Sequence, residues 1–319
     1  MNQLLLSTSW YVPVYGLIGA IFTLPWSMGV IRRTGPRPAA YFNLLATLLG
    51  FFHSLFIFQD IWDRETEVIS WIWFQSGNFQ LSLDWEISII SIGAVVLITG
   101  LSLLAQIYAL GYMEKDWALA RFFAMMGFFE AALSALAMSD SLFLSYALLE
   151  ILTLSTYLLV GFWYAQPLVV TAARDAFLTK RVGDLLLLMG VVALSTSAGS
   201  LNFSDIYEWA RTANLSPLLW NLLGLALIAG PAGKCAQFPL HLWLDEAMEG
   251  PNPASVLRNS MVVAGGAYVL YKLQPILVFS PLALSTLVVM GVLTAIGATL
   301  VSIAQIDIKR VLSHSTSAY

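Results

Sequence analysis

The sequence predicts an all-α polytopic membrane protein, a bundle of transmembrane helices in which one helix is discontinuous. Of its 319 residues, 59% are hydrophobic and 11% are charged, and the mean hydropathy is +0.78. A soluble domain carries about 25% charged residues, so most of this chain is expected to lie in lipid. Apolar runs of about 20 residues recur between short polar breaks, and a helix needs that length to cross a hydrocarbon core. A transmembrane β-barrel would instead alternate over segments of about ten residues.

The apolar runs define nine predicted spans and the start of a further helix. Between them, segment 61–85 is polar and aromatic, and 202–214 has the mixed polarity of a short helix on a membrane surface. The first run follows no basic segment or cleavage site and is interpreted as a retained span. No soluble linker interrupts the pattern, so residues 1–319 are predicted to form one membrane domain. The predicted helices cover 10–31, 39–59, 86–112, 119–139, 142–164, 170–197, 216–249, 252–273 and 281–304, and the last begins after Asp307.

The discontinuity is predicted within 216–249. One straight helix of that length would measure about 51 Å, which exceeds the bilayer core. The stretch contains Gly230-Pro231-Ala232-Gly233 and then Pro239, and proline removes a backbone hydrogen bond. Broken helices occur in membranes where they line a hydrated cavity inside the protein. The alternative is a helix that is kinked but continuous.

Basic residues predict the orientation, because positively charged loops stay on the cytoplasmic side. Most of them fall at one set of alternate loops and helix ends, and Lys234 and Arg258 fall inside spans. The N-terminus is therefore predicted on the non-cytoplasmic side. The larger set is Arg32, Arg33, Arg37, Lys115, Arg121, Arg174, Lys180, Arg181, Lys309 and Arg310, and the smaller set is Arg64, Arg211 and Lys272.

Ionisable residues inside spans are costly and usually functional. Glu150 lies about 12 Å into its span by helical rise, and Lys234 lies at the predicted helix break. A buried Glu–Lys pair that opens and closes would be a proton-affinity switch, whereas a static pair would only hold helices together. Glu130, in the adjacent span, lies at a similar depth and is interpreted either as a proton-transfer group or as a satisfied protonated carboxyl.

Three further sites have two interpretations each. Arg181 and Asp184 lie three residues apart on one helix face, which favours local neutralisation. Arg258, beside Asn259, carries a fixed charge that could tune neighbouring groups or attract an anion, or could extend to the cytoplasmic surface. His241 precedes a group of acids that could form a cytoplasmic proton entrance or an ordinary solvated helix end. The acids are Asp245, Glu246 and Glu249.

Redox and nucleotide chemistry have no visible site in this chain. One cysteine and three histidines cannot build an iron–sulfur cluster or a Cys/His zinc site. The sequence contains neither G-x-G-x-x-G after a strand pattern nor G-x-x-x-x-G-K-[ST]. No catalytic residue, cofactor, metal or nucleic acid partner is therefore predicted for this chain.

Several motifs resemble one family. Segment 234–244 (KCAQFPLHLWL) and segment 247–253 (AMEGPNP) are similar to the signature of the large antiporter-like subunits of complex I and of multisubunit cation/proton antiporters. Among these, the chain most resembles the NdhF type of cyanobacterial photosynthetic complex I. Further matching segments are 121–123 (RFF), Glu150 with 155–163 (STYLLVGFW), 181–184 (RVGD), 307–310 (DIKR) and 315–316 (ST).

The resemblance implies an antiporter-like fold with core proton-channel helices at 115–273. It implies that Glu150 and Lys234 are the family's glutamate–lysine pair and that Asp184 is an acid near it. It also implies quinone reduction in partner subunits, other membrane subunits of a complex I-like assembly, and a cyanobacterial thylakoid membrane with a lumenal N-terminus. Members of the family are longer, so the chain is expected to be truncated at its C-terminus.

One departure from the family changes the functional expectation. Arg258-Asn259 occupies the place of a usual Ile-His pair, whose histidine is regarded as a proton relay, and asparagine cannot titrate. The variant resembles complexes specialised for carbon dioxide uptake. Three functions stay open: a proton-translocating subunit, a subunit that removes protons for a peripheral cytoplasmic carbon dioxide-hydrating partner, and a structural scaffold.

Overall fold

The computed structural model describes residues 2–32, 34–77 and 79–319 and confirms the predicted helical bundle. Arg33, one of the residues used to predict orientation, lies outside the described residues. The first eight helices are α1 (Asn2–Ser7), α2 (Tyr11–Ser27), α3 (Arg37–Ile61), α4 (Ile89–Tyr112), α5 (Leu119–Met138), α6 (Leu142–Val160), α7 (Pro167–Ala198) and α8 (Phe203–Thr212). The next six are α9 (Pro217–Lys234), α10 (Leu242–Glu246), α11 (Asn252–Ser255), α12 (Val263–Leu277), α13 (Pro281–Ala304) and α14 (Ile308–Ala318).

Within the described ranges, five helices are long and apolar enough to cross a membrane. They are α3, α4, α5, α6 with its 3₁₀ extension to Trp163, and α13. Helix α2 is apolar but shorter. These five helices correspond to predicted spans, and the short helix predicted at 202–214 is present as α8.

Helix α5 is the most buried of these five helices and packs against α2, α3, α4 and α6. Its contact with α2 depends on two glycines, because a Cβ atom on Gly16 would lie 2.8 Å from the carbonyl oxygen of Gly127. Such close backbone approach is typical of packed membrane helices with small residues at their interface.

The polar, aromatic segment at 61–85 contains the element that the all-α prediction omitted. Strands β1 (Glu67–Ser76) and β2 (Phe79–Ile87) form an antiparallel hairpin, with an irregularity between Ile72 and Phe74. Tryptophan, isoleucine and valine favour strands, and most of β1 is exposed, so burial gave no period-2 signal to detect.

A charged cluster connects this hairpin to the bundle. Lys272 of α12 lies 2.5 Å from Glu86 of β2 and 3.2 Å from Asp140, which lies between α5 and α6. Burial raises the pKa of Asp140, and Lys272 partly offsets that rise. Lys272, which the sequence places in the smaller set of loops and helix ends, lies inside α12, and 7% of its side chain is exposed.

Candidate functional site

The chain breaks the helix that begins at Pro217 directly after Lys234. Pro231 lies in the last turn of α9, and Ala236 has a positive φ of 51°. Residues 235–241 are not helical, and α10 and a 3₁₀ turn at Ala247–Glu249 follow. The break places Lys234 at a helix end inside the protein, where its side chain is fully buried.

Lys234 forms a buried ion pair with Asp184 of α7. Its Nζ lies 2.7 Å and 2.6 Å from the two carboxylate oxygens, and it also donates to the hydroxyl of Thr153 on α6. The same hydroxyl donates to Asp184 at 2.9 Å. Each charged side chain is 1% exposed, so water screens the pair very little.

The structure does not bring Glu150 and Lys234 into contact. Glu150 instead pairs with Arg181 and accepts a hydrogen bond of 3.1 Å from Tyr146. The predicted local neutralisation of Arg181 by Asp184 is wrong for the same reason: each finds its partner on another helix, Arg181 on α6 and Asp184 on α9. Helix α7 thus lies between the two expected partners, which sequence spacing alone does not show.

Lys180 is a buried cation that the sequence interpretation missed. It was assigned to a cytoplasmic helix end, but it is 1% exposed and lies 13 positions after the Pro167 that begins α7. Its Nζ donates to Thr156 at 3.0 Å and lies 3.5 Å from the ring centroid of Trp243. Its spacing of four from Asp184, on one helix face, is the signal that could have identified it.

Arg258 is fully buried in a π-helical segment, Val256–Val262, which continues into α12. One guanidinium nitrogen donates to Ser255 at 2.9 Å, and Nε and Nη1 have no hydrogen-bond partner among the described residues. The alternative that Arg258 extends to the surface is wrong. Asn259 is half-buried, and its amide nitrogen lies 3.9 Å from the sulfur of Met248.

Glu130 lies in a separate polar cluster between α3, α4 and α5. Its Oε2 accepts hydrogen bonds from Thr47 at 2.7 Å, Ser102 at 2.5 Å and Gln106 at 3.2 Å. Among the described residues, no cation pairs with this carboxyl. The structure therefore does not bring Glu130 into the ion pairs of α6 and α7.

Two of the three acids after the break form ion pairs with α14. Arg310 lies 2.7 Å from Asp245 and 3.1 Å from Glu249, and His314 lies 3.4 Å from Asp245. Asp245 and Glu249 therefore pair with α14, whereas Glu246 forms no ion pair among the described residues. His241 is half-buried beside Phe238, and its Nδ1 has no partner in the described part of the chain.

No group of three or more histidine, cysteine, aspartate or glutamate side chains is placed to hold a metal ion in the described residues. The buried groups of α6, α7, α9 and the π segment are hydroxyls, carboxylates, amines and a guanidinium. The carboxylates and amines can hold and exchange protons, whereas the guanidinium keeps a fixed charge.

Two protein-family models match the chain. The model described as "NADH:quinone oxidoreductase/Mrp antiporter, TM" matches residues 139–319. The model described as "NADH-Ubiquinone oxidoreductase (complex I), chain 5 N-terminus" matches residues 73–123. The first match includes Glu150, Asp184, Lys234 and Arg258.

Curated relatives match almost the whole chain. It is 60% identical over 313 residues to NAD(P)H-quinone oxidoreductase subunit 5, organellar chromatophore 2, of Paulinella chromatophora, covering 98% of this chain and 51% of the relative. It is 34% identical over 320 residues to the chloroplastic subunit 5 of Lolium perenne, covering 97% and 43%. The chain spans about half the length of these relatives.

Solved structures show the same fold at low sequence identity. The membrane-bound sulfane sulfur reductase, an archaeal respiratory membrane complex, matches with a TM-score of 0.86 at 18% identity, over 98% of this chain and 62% of that one. The Mrp complex from Dietzia sp. matches with a TM-score of 0.81 at 20% identity, over 99% and 33%. These likenesses confirm the antiporter-like helical fold that the sequence predicts.

Proposed function

Since the chain belongs to the NADH:quinone oxidoreductase/Mrp antiporter family of membrane proteins, we propose that it translocates protons as an antiporter-like subunit of a quinone-reducing complex. In this proposal, partner membrane subunits hold the quinone and the redox centres. The chain itself moves protons and binds no cofactor. Its relatives are subunits of NAD(P)H-quinone oxidoreductases, which supports the choice of complex.

The observation that carries the proposal is the buried Lys234–Asp184 pair at the helix break. Removing two charges from water costs several kcal/mol per ion, and only close partners offset that cost. The pair can therefore exist in two arrangements: closed and charged, or open, with Lys234 neutral and Asp184 either protonated or paired with another cation. A proton can leave Lys234 when Asp184 moves away, because the uncompensated ammonium is then costly.

The broken helix supplies the means of opening. Residues 235–241 are held by turn hydrogen bonds and lack a regular helical ladder, so a shift of the end of α9 relative to α7 would break fewer backbone hydrogen bonds than a shift inside a continuous helix would. The Glu150–Arg181 pair lies one turn from Asp184 on α7, and either pair can exchange partners with the other. We propose that such exchange transmits the state of the complex along the membrane subunit.

Proton movement by the assembled complex in sealed vesicles tests this proposal. Lys234→Met should abolish proton movement while quinone reduction continues. Arg37→Met is the matched control, because it also removes a cation from an ion pair, but Arg37 and its partner Glu114 are 56% and 53% exposed. Normal proton movement by Lys234→Met would refute the proposal and favour a scaffold.

A second function, proton removal for a peripheral cytoplasmic carbon dioxide-hydrating protein, is supported by Arg258. Hydration of carbon dioxide releases a proton, which must be carried away for the reaction to continue. A fixed, fully buried guanidinium beside Asn259 biases neighbouring groups without titrating. Replacing both residues by Ile and His should then impair carbon dioxide uptake more than quinone reduction. Unchanged uptake in the assembled complex would eliminate this function.

We also propose a thylakoid location, plastoquinone as the electron acceptor in partner subunits, and a lumenal N-terminus. The relatives from a chloroplast and a chromatophore support the location. Arg32 and Lys115 lie in alternate loops, Arg37 begins α3, and Arg174 lies in the third turn of α7, which supports the orientation even after Lys180 is removed from the count. Protease access to a tag before α2 in oriented vesicles would test the orientation.

A further inference from the structure

Lys180 differs from Lys234 in what surrounds its ammonium group. Both amines are fully buried, and each donates to a threonine of α6, Lys234 to Thr153 and Lys180 to Thr156. Among the described residues, however, no carboxylate lies within ion-pair distance of Lys180. A hydroxyl and the face of Trp243 are its closest polar and aromatic contacts.

The two lysines lie next to each other along the same pair of helices. Thr153 and Thr156 are three residues apart on α6, which places their hydroxyls about 4.5 Å apart along the helix axis. Lys180 and Asp184 are four residues apart on α7 and share one helix face. The electrostatic interactions of Lys180 include Lys234, Asp184 and Arg258.

The charge balance of this region is uneven. Lys180, Lys234 and Arg258 are all fully buried, and Asp184 is the one equally buried carboxylate on the described parts of α6, α7, α9 and the π segment. A cation–π contact stabilises a buried ammonium by less than the cost of burying that ammonium without a counter-ion. A positive charge on Lys180 is therefore compensated less well than one on Lys234, and Arg258 adds a repulsion that never titrates.

We propose that Lys180 is a second proton carrier, which delivers its proton to Lys234 once Lys234 is neutral. In this step one N–H bond of the Lys180 ammonium breaks and one forms on the Lys234 amine. Once Asp184 has returned to Lys234, the positive charge moves from a site without a paired carboxylate to a site beside Asp184, so the transfer is downhill. Lys180 is then recharged from the side on which α7 begins. Arg258 acts as a positioning residue, since its charge disfavours the proton on Lys180. The inference rests on the proton translocation proposed above.

Lys180→Arg provides the main test, because arginine keeps the positive charge but does not release a proton under these conditions. In vesicles containing the assembled complex, we expect quinone reduction and assembly to persist while proton movement falls to the level of the vesicle leak. Lys180→His should restore part of the movement and make it depend on pH through the titration of the imidazole. A fixed structural cation predicts the opposite, normal movement with arginine and no new pH dependence.

Thr156→Val is a nearly isosteric variant for the case in which Lys180 variants do not assemble. Thr156→Val removes the single hydroxyl partner of Lys180 and leaves the Lys234–Asp184 pair intact, so proton movement should slow while the complex stays stable. Unchanged movement in Thr156→Val, or normal movement in Lys180→Arg, would overturn the role of Lys180. If Lys234→Met abolishes movement in the same preparation, the proposed function stands even so.

Discussion

Glu130 and Asp184 are both buried carboxyl groups, each 1% exposed, yet the protein stabilises them in different ways. Around Glu130, two hydroxyls and an amide donate hydrogen bonds, and none of its partners is charged. Around Asp184, one hydroxyl and the ammonium of Lys234 do so. The stabilisation of a carboxyl by neutral donors does not depend on the charge of a partner. The stabilisation of a carboxylate by a lysine depends on whether that lysine is protonated.

The difference shows how burial alone fails to identify a switch. Neutral donors hold the carboxyl of Glu130 whether or not a proton is bound, so its surroundings need not rearrange. Asp184 and Lys234 must change together, because removing the charge from one leaves the other unpaired in a medium of low dielectric constant. The sequence shows one acid in each case and cannot distinguish the two arrangements.

The largest expected effect comes from breaking the pair of Asp184. Asp184→Asn and Lys234→Met should each abolish proton movement and destabilise the subunit by about 3–5 kcal/mol, since each leaves a buried charge unpaired. The double variant should lose less stability than the sum of the single variants, because neither charge remains. Thermal denaturation of the detergent-solubilised complex measures this coupling. Additive losses would mean that the two side chains do not stabilise each other.

A smaller effect is expected for Glu150→Gln. Its partner Arg181 is 32% exposed, so the arginine regains water when the pair is lost. Pairs with that much exposure contribute about 1 kcal/mol or less, and proton movement should be reduced rather than abolished. Comparing initial rates of Glu150→Gln and Asp184→Asn in the same vesicles checks the order. An equal loss of proton movement in the two variants would mean that Glu150 matters as much as Asp184.

Glu130→Gln should change stability by about 0.5 kcal/mol or less, because a glutamine oxygen can accept the same three hydrogen bonds. Proton movement should stay close to normal. The control is Thr47→Val, which removes a donor from the same cluster and should cost more stability than the glutamine, about 1 kcal/mol. Loss of proton movement in an assembled Glu130→Gln complex would make Glu130 a proton carrier after all.

The smallest effect concerns Asp140, a third carboxyl, at the hairpin. Its pKa is raised by burial, so the folded state binds its proton more tightly than the unfolded state does. Protonation therefore favours folding: stability should fall as pH rises from the ordinary aspartate pKa through the raised one, and level off above it. Asp140→Asn should flatten that part of the stability curve. An unchanged slope in the variant would assign the pH dependence to another group.

Much of the fold follows from simple properties of the sequence. Apolar run length predicts α3, α4, α5, α6 and α13, and the prolines around Lys234 predict the break. The hairpin at Glu67–Ile87 did not follow, because most of β1 is exposed and lacks the alternation that burial imposes on a strand.

The sequence identifies most of the charged residues of the site but not which acid pairs with which base. Glu150, Asp184, Lys234 and Arg258 are identified by their charge inside apolar runs. Which acid faces which base depends on how α7 is rotated between α6 and α9, and spacing within one helix carries no such information. Lys180 was missed because polar residues precede it in α7, and in sequence such a lysine looks the same whether it lies at a solvated helix end or in a buried helix interior.

The π-helical segment Val256–Val262 changes the rotation of the residues before it relative to those of α12. A π turn behaves as an α-helix with one added residue, and each residue of an α-helix turns the chain by about 100°. Deleting one residue from the segment would therefore leave Lys272 pointing in its present direction relative to α12 but turn Arg258 away from its present neighbours. A single extra residue therefore fixes the rotation of Arg258, in the core, relative to Lys272, at the hairpin.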